Sequence, residues 1–95
     1  MPAIVALLTL ELFVGDAHSL KEKRMVLRRV KDRLGALNLS VAETAHQELW
    51  QRATVSVAVV RDGEQSAEAA LQQAIEAIER VEPGLVTRSD IEFLT

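Results

Sequence analysis

The chain has no cysteine, which excludes disulfides, thiolate catalysis and cysteine-ligated zinc sites. Aromatic residues are nearly as scarce, since two phenylalanines and one tryptophan are the whole set. Only two prolines and four glycines occur in 95 residues, so the composition is not that of a low-complexity or disordered segment. No apolar run reaches the roughly 18 residues that a membrane-spanning helix needs. These absences leave an ordinary globular protein.

The length predicts a single domain over residues 1–95. The apolar stretch 2–10 has no cationic segment before it, so we expect no signal peptide and a cytoplasmic location. Charge is unevenly distributed, although the formal net charge is only −3. Residues 19–34 hold seven cations and two anions, whereas the remaining residues hold four cations and twelve anions. One basic helix on an acidic body favours a directed contact with a polyanion over general nucleic-acid coating.

Hydrophobic periodicity predicts six secondary-structure elements. The expected strands are residues 3–14, 39–45, 54–60 and 85–94, and the expected helices are residues 20–34 and 66–81. This order is that of the split β-α-β arrangement, so we predict an α+β, ferredoxin-like fold. Its four-stranded antiparallel sheet has the order 4-1-3-2, and both helices pack on one face because right-handed crossovers require it.

The start of the first helix carries two conflicting signals. Ser19 and Glu22 form a predicted capping box, in which the glutamate reaches back to the N–H of the cap residue. Lys21, Lys23 and Arg24 then follow at the positive end of the helix macrodipole, where cations are disfavoured. This arrangement indicates either anion capture at the helix N-terminus or a solvated basic face. Ser66 is expected to cap the second helix.

The predicted topology brings the turn at 15–19 and the connection at 46–53 to the same end of the sheet. Trp50, the only tryptophan, is interpreted as a cap on the core in preference to a platform for a nucleobase. The connection itself favours a helical turn over a tight hairpin.

Two histidines without a ligand spacing do not predict a metal site, so no metal or cofactor is expected. Candidate anion- or RNA-binding residues are His18, Lys21, Lys23, Arg24, Arg28, His46, Gln47, Trp50 and Arg52.

The sheet face without helices offers a second candidate surface. Among its residues only Phe13 is aromatic, which makes it a poor platform for stacking bases. We expect it to be covered by a homodimer contact or another protein. Its predicted members are Val5, Leu7, Thr9, Phe13, Ser56, Ala58 and Val60.

Catalytic motifs are missing from the sequence. There is no P-loop, Gly-x-Ser-x-Gly or His-Glu-x-x-His, and residues 15–18 lack the arginine of an acylphosphatase phosphate loop. We therefore expect a protein that is not an enzyme.

Two stretches resemble the small bacterial YlxP-like family. They are residues 16–24 (DAHSLKEKR), and residues 42–43 (AE) followed by 46–53 (HQELWQRA); Thr44 and Glu48 depart from the family pattern. The resemblance implies a ferredoxin-like fold without a settled activity. Genes of this family often neighbour those for translation initiation and ribosome maturation factors, which implies association with RNA or the ribosome. The alternatives are a dimeric domain that senses a metabolite or anion, and an assembly domain that uses the open sheet face.

Overall fold

Two β-α-β units make up the chain, in the order that the hydrophobic pattern predicts. The computed structural model describes residues 3–95, so the first two residues of the predicted domain lie outside it. The elements are β1 Ile4–Phe13, α1 Leu20–Gly35, β2 Ser40–Ala45, β3 Arg52–Arg61, α2 Glu64–Val81 and β4 Val86–Phe93. No helix within residues 3–95 has the length and apolar character required to cross a membrane.

All neighbouring strands of the sheet run antiparallel, in the order β2-β3-β1-β4. The predicted ferredoxin-like topology is therefore confirmed. The two strands with the most regular apolar alternation, β1 and β3, lie at the centre, paired from Ile4 with Arg61 to Phe13 with Arg52. Strand β2 is an edge strand with a register shift between Glu43 and Ala45.

The core lies between one face of the sheet and the two helices. Every second residue of β1 from Ala6 to Leu12 is buried, as period-2 alternation requires when one face of a strand is covered. Each fully buried leucine in this layer stabilises the fold by about 1.5 to 3 kcal/mol. Helix α2 supplies mainly alanines, which allow a close approach to the sheet, and its buried residues are Ala67, Ala70, Leu71, Ala74, Ala77 and Ile78.

The helix starts differ in how they are capped. Ser19 caps α1, as predicted, and its hydroxyl accepts from the Glu22 N–H at 3.1 Å. The Glu22 carboxylate accepts from the N–H of His18 at 2.7 Å, not from that of Ser19, so this half of the predicted capping box is wrong. The prediction that Ser66 caps α2 is also wrong, because the helix begins at Glu64 and its N-cap is Gly63, three residues before Ser66.

The connection between β2 and β3 is a loop of six residues, 46–51, built from turns. His46 has φ 61°, and the N–H of Leu49 donates to its carbonyl at 3.1 Å. The expected helical turn is therefore a single hydrogen-bonded turn inside a hairpin connection. We call residues 46–51 the Trp50 loop.

Candidate functional site

The two polar segments that the topology predicts to converge lie side by side. The side-chain amide of Gln51 donates to the carbonyls of Gly15 and Ala17, at 3.0 and 3.3 Å. The N–H of Val14 donates to the carbonyl of Gln51 at 2.7 Å. One rim at the end of the sheet therefore contains the turn before α1 and the Trp50 loop.

Lys23 is the only buried charged residue among residues 3–95, with 0% of its surface exposed. Its ammonium donates to Glu43 Oε2 at 2.9 Å and to the carbonyls of His46 and Arg52 at 2.8 and 3.1 Å. The carbonyl of Gln47 lies further away, at 3.4 Å. A lysine has three N–H donors, and the three short contacts use them. The prediction that Lys23 contributes to an exposed anion site is therefore wrong.

These contacts join the first turns of α1 to both ends of the Trp50 loop. We call Lys23, Glu43 and the loop carbonyls the lysine clamp. A buried ammonium is tolerated only when an opposite charge and hydrogen bonds replace its water, and the clamp supplies both. The Gln47 side chain adds a bond to the carbonyl of Glu43 at 3.0 Å. The loop is thus fixed by several polar contacts to the main body of the protein.

A pattern in the sequence could have revealed the clamp. Lys23 precedes Leu27 by four residues and Val30 by seven, so it lies on the buried stripe of α1. Glu43 shares the helix-side face of β2 with Val41, which lies opposite Val57 of the core. Two opposite charges placed in core positions of neighbouring elements indicate a buried ion pair.

Trp50 and its neighbour Leu49 project from the clamped loop into solvent. They are 55% and 45% exposed, so the interpretation of Trp50 as a cap on the core is wrong. Val14 and Ala17, which contact this loop through Gln51, are buried and close this end of the core instead. A shallow groove is lined by Glu48, Leu49, Trp50, Gln51 and Arg52.

Four exposed cations form a line along α1. Lys21, Arg24, Arg28 and Lys31 are spaced by three, four and three residues, which places them on one face of the helix. We call them the cation stripe. Lys31 was not among the predicted site residues, and this spacing is the signal that identifies it. A groove between α1 and β2 runs beside the stripe and is lined by Arg24, Leu27, Arg28, Lys31, Asp32 and Glu43.

No member of the stripe forms a salt bridge within the part of the chain that the structure describes. The two salt bridges found there join Lys23 to Glu43 and Arg29 to Glu82, the latter at 2.6 Å. Internal pairing thus removes two of the seven cations of residues 19–34 and leaves the stripe free for an external anion.

The side chain of Arg52 projects from the face of the sheet opposite to α1. Arg52 is paired with Phe13, and residues paired across an antiparallel sheet project from the same face. Phe13 alternates with the buried Leu12, so this face is the one away from the helices. Arg52, which the sequence predicts among the anion- or RNA-binding residues, borders the Trp50 groove, and its contact with an anion stays a prediction.

The helix N-terminus is less suited to an external anion than the sequence predicts. The Glu22 carboxylate already accepts from the N–H of His18, and so a negative charge stands where the anion was expected. His18 and His46 are both exposed. Across residues 3–95, no three histidine, aspartate or glutamate side chains are grouped so that they could hold a metal ion.

The open face of the sheet holds the residues that the alternation assigns to it. Val5 is paired with Val60, Leu7 with Ala58, and Thr9 with Ser56. Polar contacts cross the same face, since the Ser56 and Thr44 hydroxyls are 2.7 Å apart and Thr54 donates to Glu11 at 2.8 Å. Coverage of this face by a second copy or a partner stays a prediction.

Comparison with known proteins assigns the chain to a family. Residues 5–91 match the family described as "Protein of unknown function (DUF503)". The chain belongs to this family. A curated relative, the "Uncharacterized protein YlxP" of Bacillus subtilis (strain 168), is 37% identical over 70 residues, which are 73% of this chain and 76% of that protein. The predicted resemblance of the chain to the YlxP-like family is thereby confirmed.

Solved structures share the fold of this DUF503 chain. The de novo designed protein Foldit4 has a TM-score of 0.60 at 10% identity, over 99% of this chain and 98% of its own. Ferredog-Diesel, also designed, has a TM-score of 0.59 at 18% identity, over 93% and 83%. A C-terminal segment of the alpha subunit of aIF2 from Pyrococcus abyssi has a TM-score of 0.54 at 21% identity, over 99% of this chain and 51% of that one. At these identities the likeness concerns the fold alone.

Proposed function

We propose that this protein is a non-catalytic module that binds RNA through the cation stripe of α1 and that its target is ribosomal RNA or a ribosomal subunit. The observation that carries the proposal is the stripe itself. Four exposed cations follow one face of a helix without a salt bridge among residues 3–95, in a chain whose formal net charge is −3.

The stripe is unfavourable for the isolated protein. Like charges three or four residues apart on a helix repel each other, by a few tenths of a kcal/mol per pair. Glu43, which lines the same groove, is already bound to Lys23, so Asp32, four residues after Arg28, is the acidic residue of that groove left to offset part of the repulsion. A polyanion would relieve it and would release counterions into solution as it binds.

The shape of the stripe suits an extended polyanion more than a small one. Lys21 and Lys31 are ten residues apart, which corresponds to about 15 Å along the helix axis. A single phosphate cannot contact both ends of such a line, whereas successive phosphates of a nucleic acid strand can. The two lysines of the stripe, Lys21 and Lys31, are exposed and lack the desolvated setting that activates a lysine as a nucleophile, which supports binding more than catalysis.

The choice of RNA rests on the genomic context that the YlxP-like resemblance implies. Genes for translation initiation and ribosome maturation factors often lie beside those of this family. Because the chain belongs to this family, we extend that context to it as part of the proposal.

Co-sedimentation of the purified protein with ribosomal subunits, at low and at high salt, tests the proposal. We expect binding at low salt that weakens steeply as salt rises, because phosphate contacts dominate. The triple variant Lys21→Ala, Arg24→Ala, Arg28→Ala should lose this binding. A matched control, Arg61→Ala, Arg80→Ala, Arg88→Ala, removes the same charge from other elements and should bind like the wild type. Equal loss in both variants, or binding that salt does not change, would contradict the proposal.

A further inference from the structure

The Trp50 loop has an exposed tryptophan side chain on a backbone that is held in place by hydrogen bonds. Its tryptophan is 55% exposed, yet the loop backbone is held by the lysine clamp and by the two bonds of Gln51 to the turn before α1. The exposed part of this large side chain gains nothing for folding while it stays in water. A loop fixed around such a side chain presents it in a defined position at little further entropic cost when a ligand binds.

The loop is adjacent to the basic end of α1. Lys23 stands between Lys21 and Arg24 in the sequence, and its ammonium contacts the carbonyls of His46 and Arg52 on either side of the loop. The loop backbone therefore lies within reach of one lysine side chain from the helical turn where the cation stripe begins. Arg52 adds a positive charge to the groove that Trp50 lines.

We propose that Trp50 is a stacking platform for an unpaired base of single-stranded RNA whose phosphates follow the cation stripe. This inference rests on the proposed function, and it specifies the class of RNA. Stacking on an exposed aromatic side chain is open to a base of a single strand or loop, whereas bases within a duplex are already stacked on each other. The stripe supplies charge complementarity for the backbone, and Trp50 supplies the apolar surface for the base.

Trp50 is the only tryptophan of the chain, and so its intrinsic fluorescence reports directly on this site. The experiment is a fluorescence titration of the full chain with a single-stranded adenine oligoribonucleotide, with a duplex RNA of equal length, and with inorganic polyphosphate. We expect the single strand to bind and to quench the emission. Polyphosphate should bind through the stripe, detected by competition with the labelled oligonucleotide, without the quenching that a stacked base produces.

A variant and a conservative control measure the contribution of stacking. Trp50→Ala should weaken binding of the single strand by roughly 5- to 150-fold, which corresponds to the loss of one base stack. It should leave the affinity for polyphosphate unchanged. Trp50→Phe keeps an aromatic face and should restore most of the affinity. Circular dichroism of both variants checks the fold, and the titration of the wild type needs no variant.

The outcomes separate this inference from the proposed function. Salt-sensitive binding of the single strand with unchanged Trp50 emission, and with equal affinity for Trp50→Ala, would overturn the stacking inference and leave RNA binding by the stripe in place. Tighter binding of the duplex than of the single strand would also overturn it. Absence of binding to any RNA would contradict both.

Discussion

The lysine clamp and the cation stripe occupy different faces of the same helix and use the same chemical group. Lys23 is fully buried and its ammonium contacts a carboxylate and backbone carbonyls, whereas Lys21, two residues earlier, is exposed and has no salt bridge within residues 3–95. A rotation of about 200° around the helix separates the two side chains. Cations that are close in sequence can therefore lie on different sides of a helix, and only those on the same side form one binding surface.

The largest expected loss of stability comes from substituting Lys23, the buried lysine. Lys23→Met leaves Glu43 without its counter-ion and removes the lysine donor from the carbonyl of Arg52, whereas the carbonyl of His46 keeps the N–H of Leu49. We expect the free energy of unfolding to fall by about 3 to 5 kcal/mol, the usual cost of removing one partner of a buried ion pair. Urea denaturation followed by circular dichroism measures the change.

Lys21→Met is the matched control, since it makes the same substitution on the exposed side of the same helix. Its stability should remain close to that of the wild type, because exposed lysines contribute little. Equal stability of the two variants would show that the clamp does not hold the helix to the Trp50 loop, and the distinction between the two lysines would be lost.

A smaller loss of stability is expected from a substitution at Ser19, the N-cap of α1. Ser19→Ala removes the hydroxyl that accepts from the Glu22 N–H and should lower the free energy of unfolding by about 1 kcal/mol. Ser66→Ala is the control, because Ser66 lies inside α2, where alanine is the better helix former. Thermal denaturation of both variants checks this difference. A larger loss for Ser66→Ala would contradict the capping that the structure shows.

The fold could be predicted from the sequence because its signals are local and periodic. The apolar alternation of β1 and β3 and the stripe of α2 repeat with fixed spacing, and the order of the elements then restricts the topology. The wrong prediction for the start of α2 also has a local cause. Gly63 caps the helix through its backbone alone, which leaves no side-chain signal, whereas Ser66 looks like a cap in the sequence.

The site was only partly predictable because its decisive contacts are not local. The acceptors of Lys23 lie 20 to 29 residues further along the chain. Lysine is also rarely buried, so its residue type predicts an exposed position, whereas its helical phase with Leu27 indicates a buried one. The opposite holds for Trp50, whose size predicts a core position although the buried Val14 and Ala17 close that end of the core.

The salt dependence of RNA binding tests the central claim most directly, namely that the exposed cations of α1 contact phosphates. The logarithm of the binding constant for a single-stranded RNA is measured against the logarithm of salt concentration. The double variant Arg24→Ala, Arg28→Ala should show a slope shallower by about 1 to 2 than that of the wild type. Arg80→Ala, Arg88→Ala should keep the wild-type slope. An identical slope for the wild type and both double variants would contradict the account.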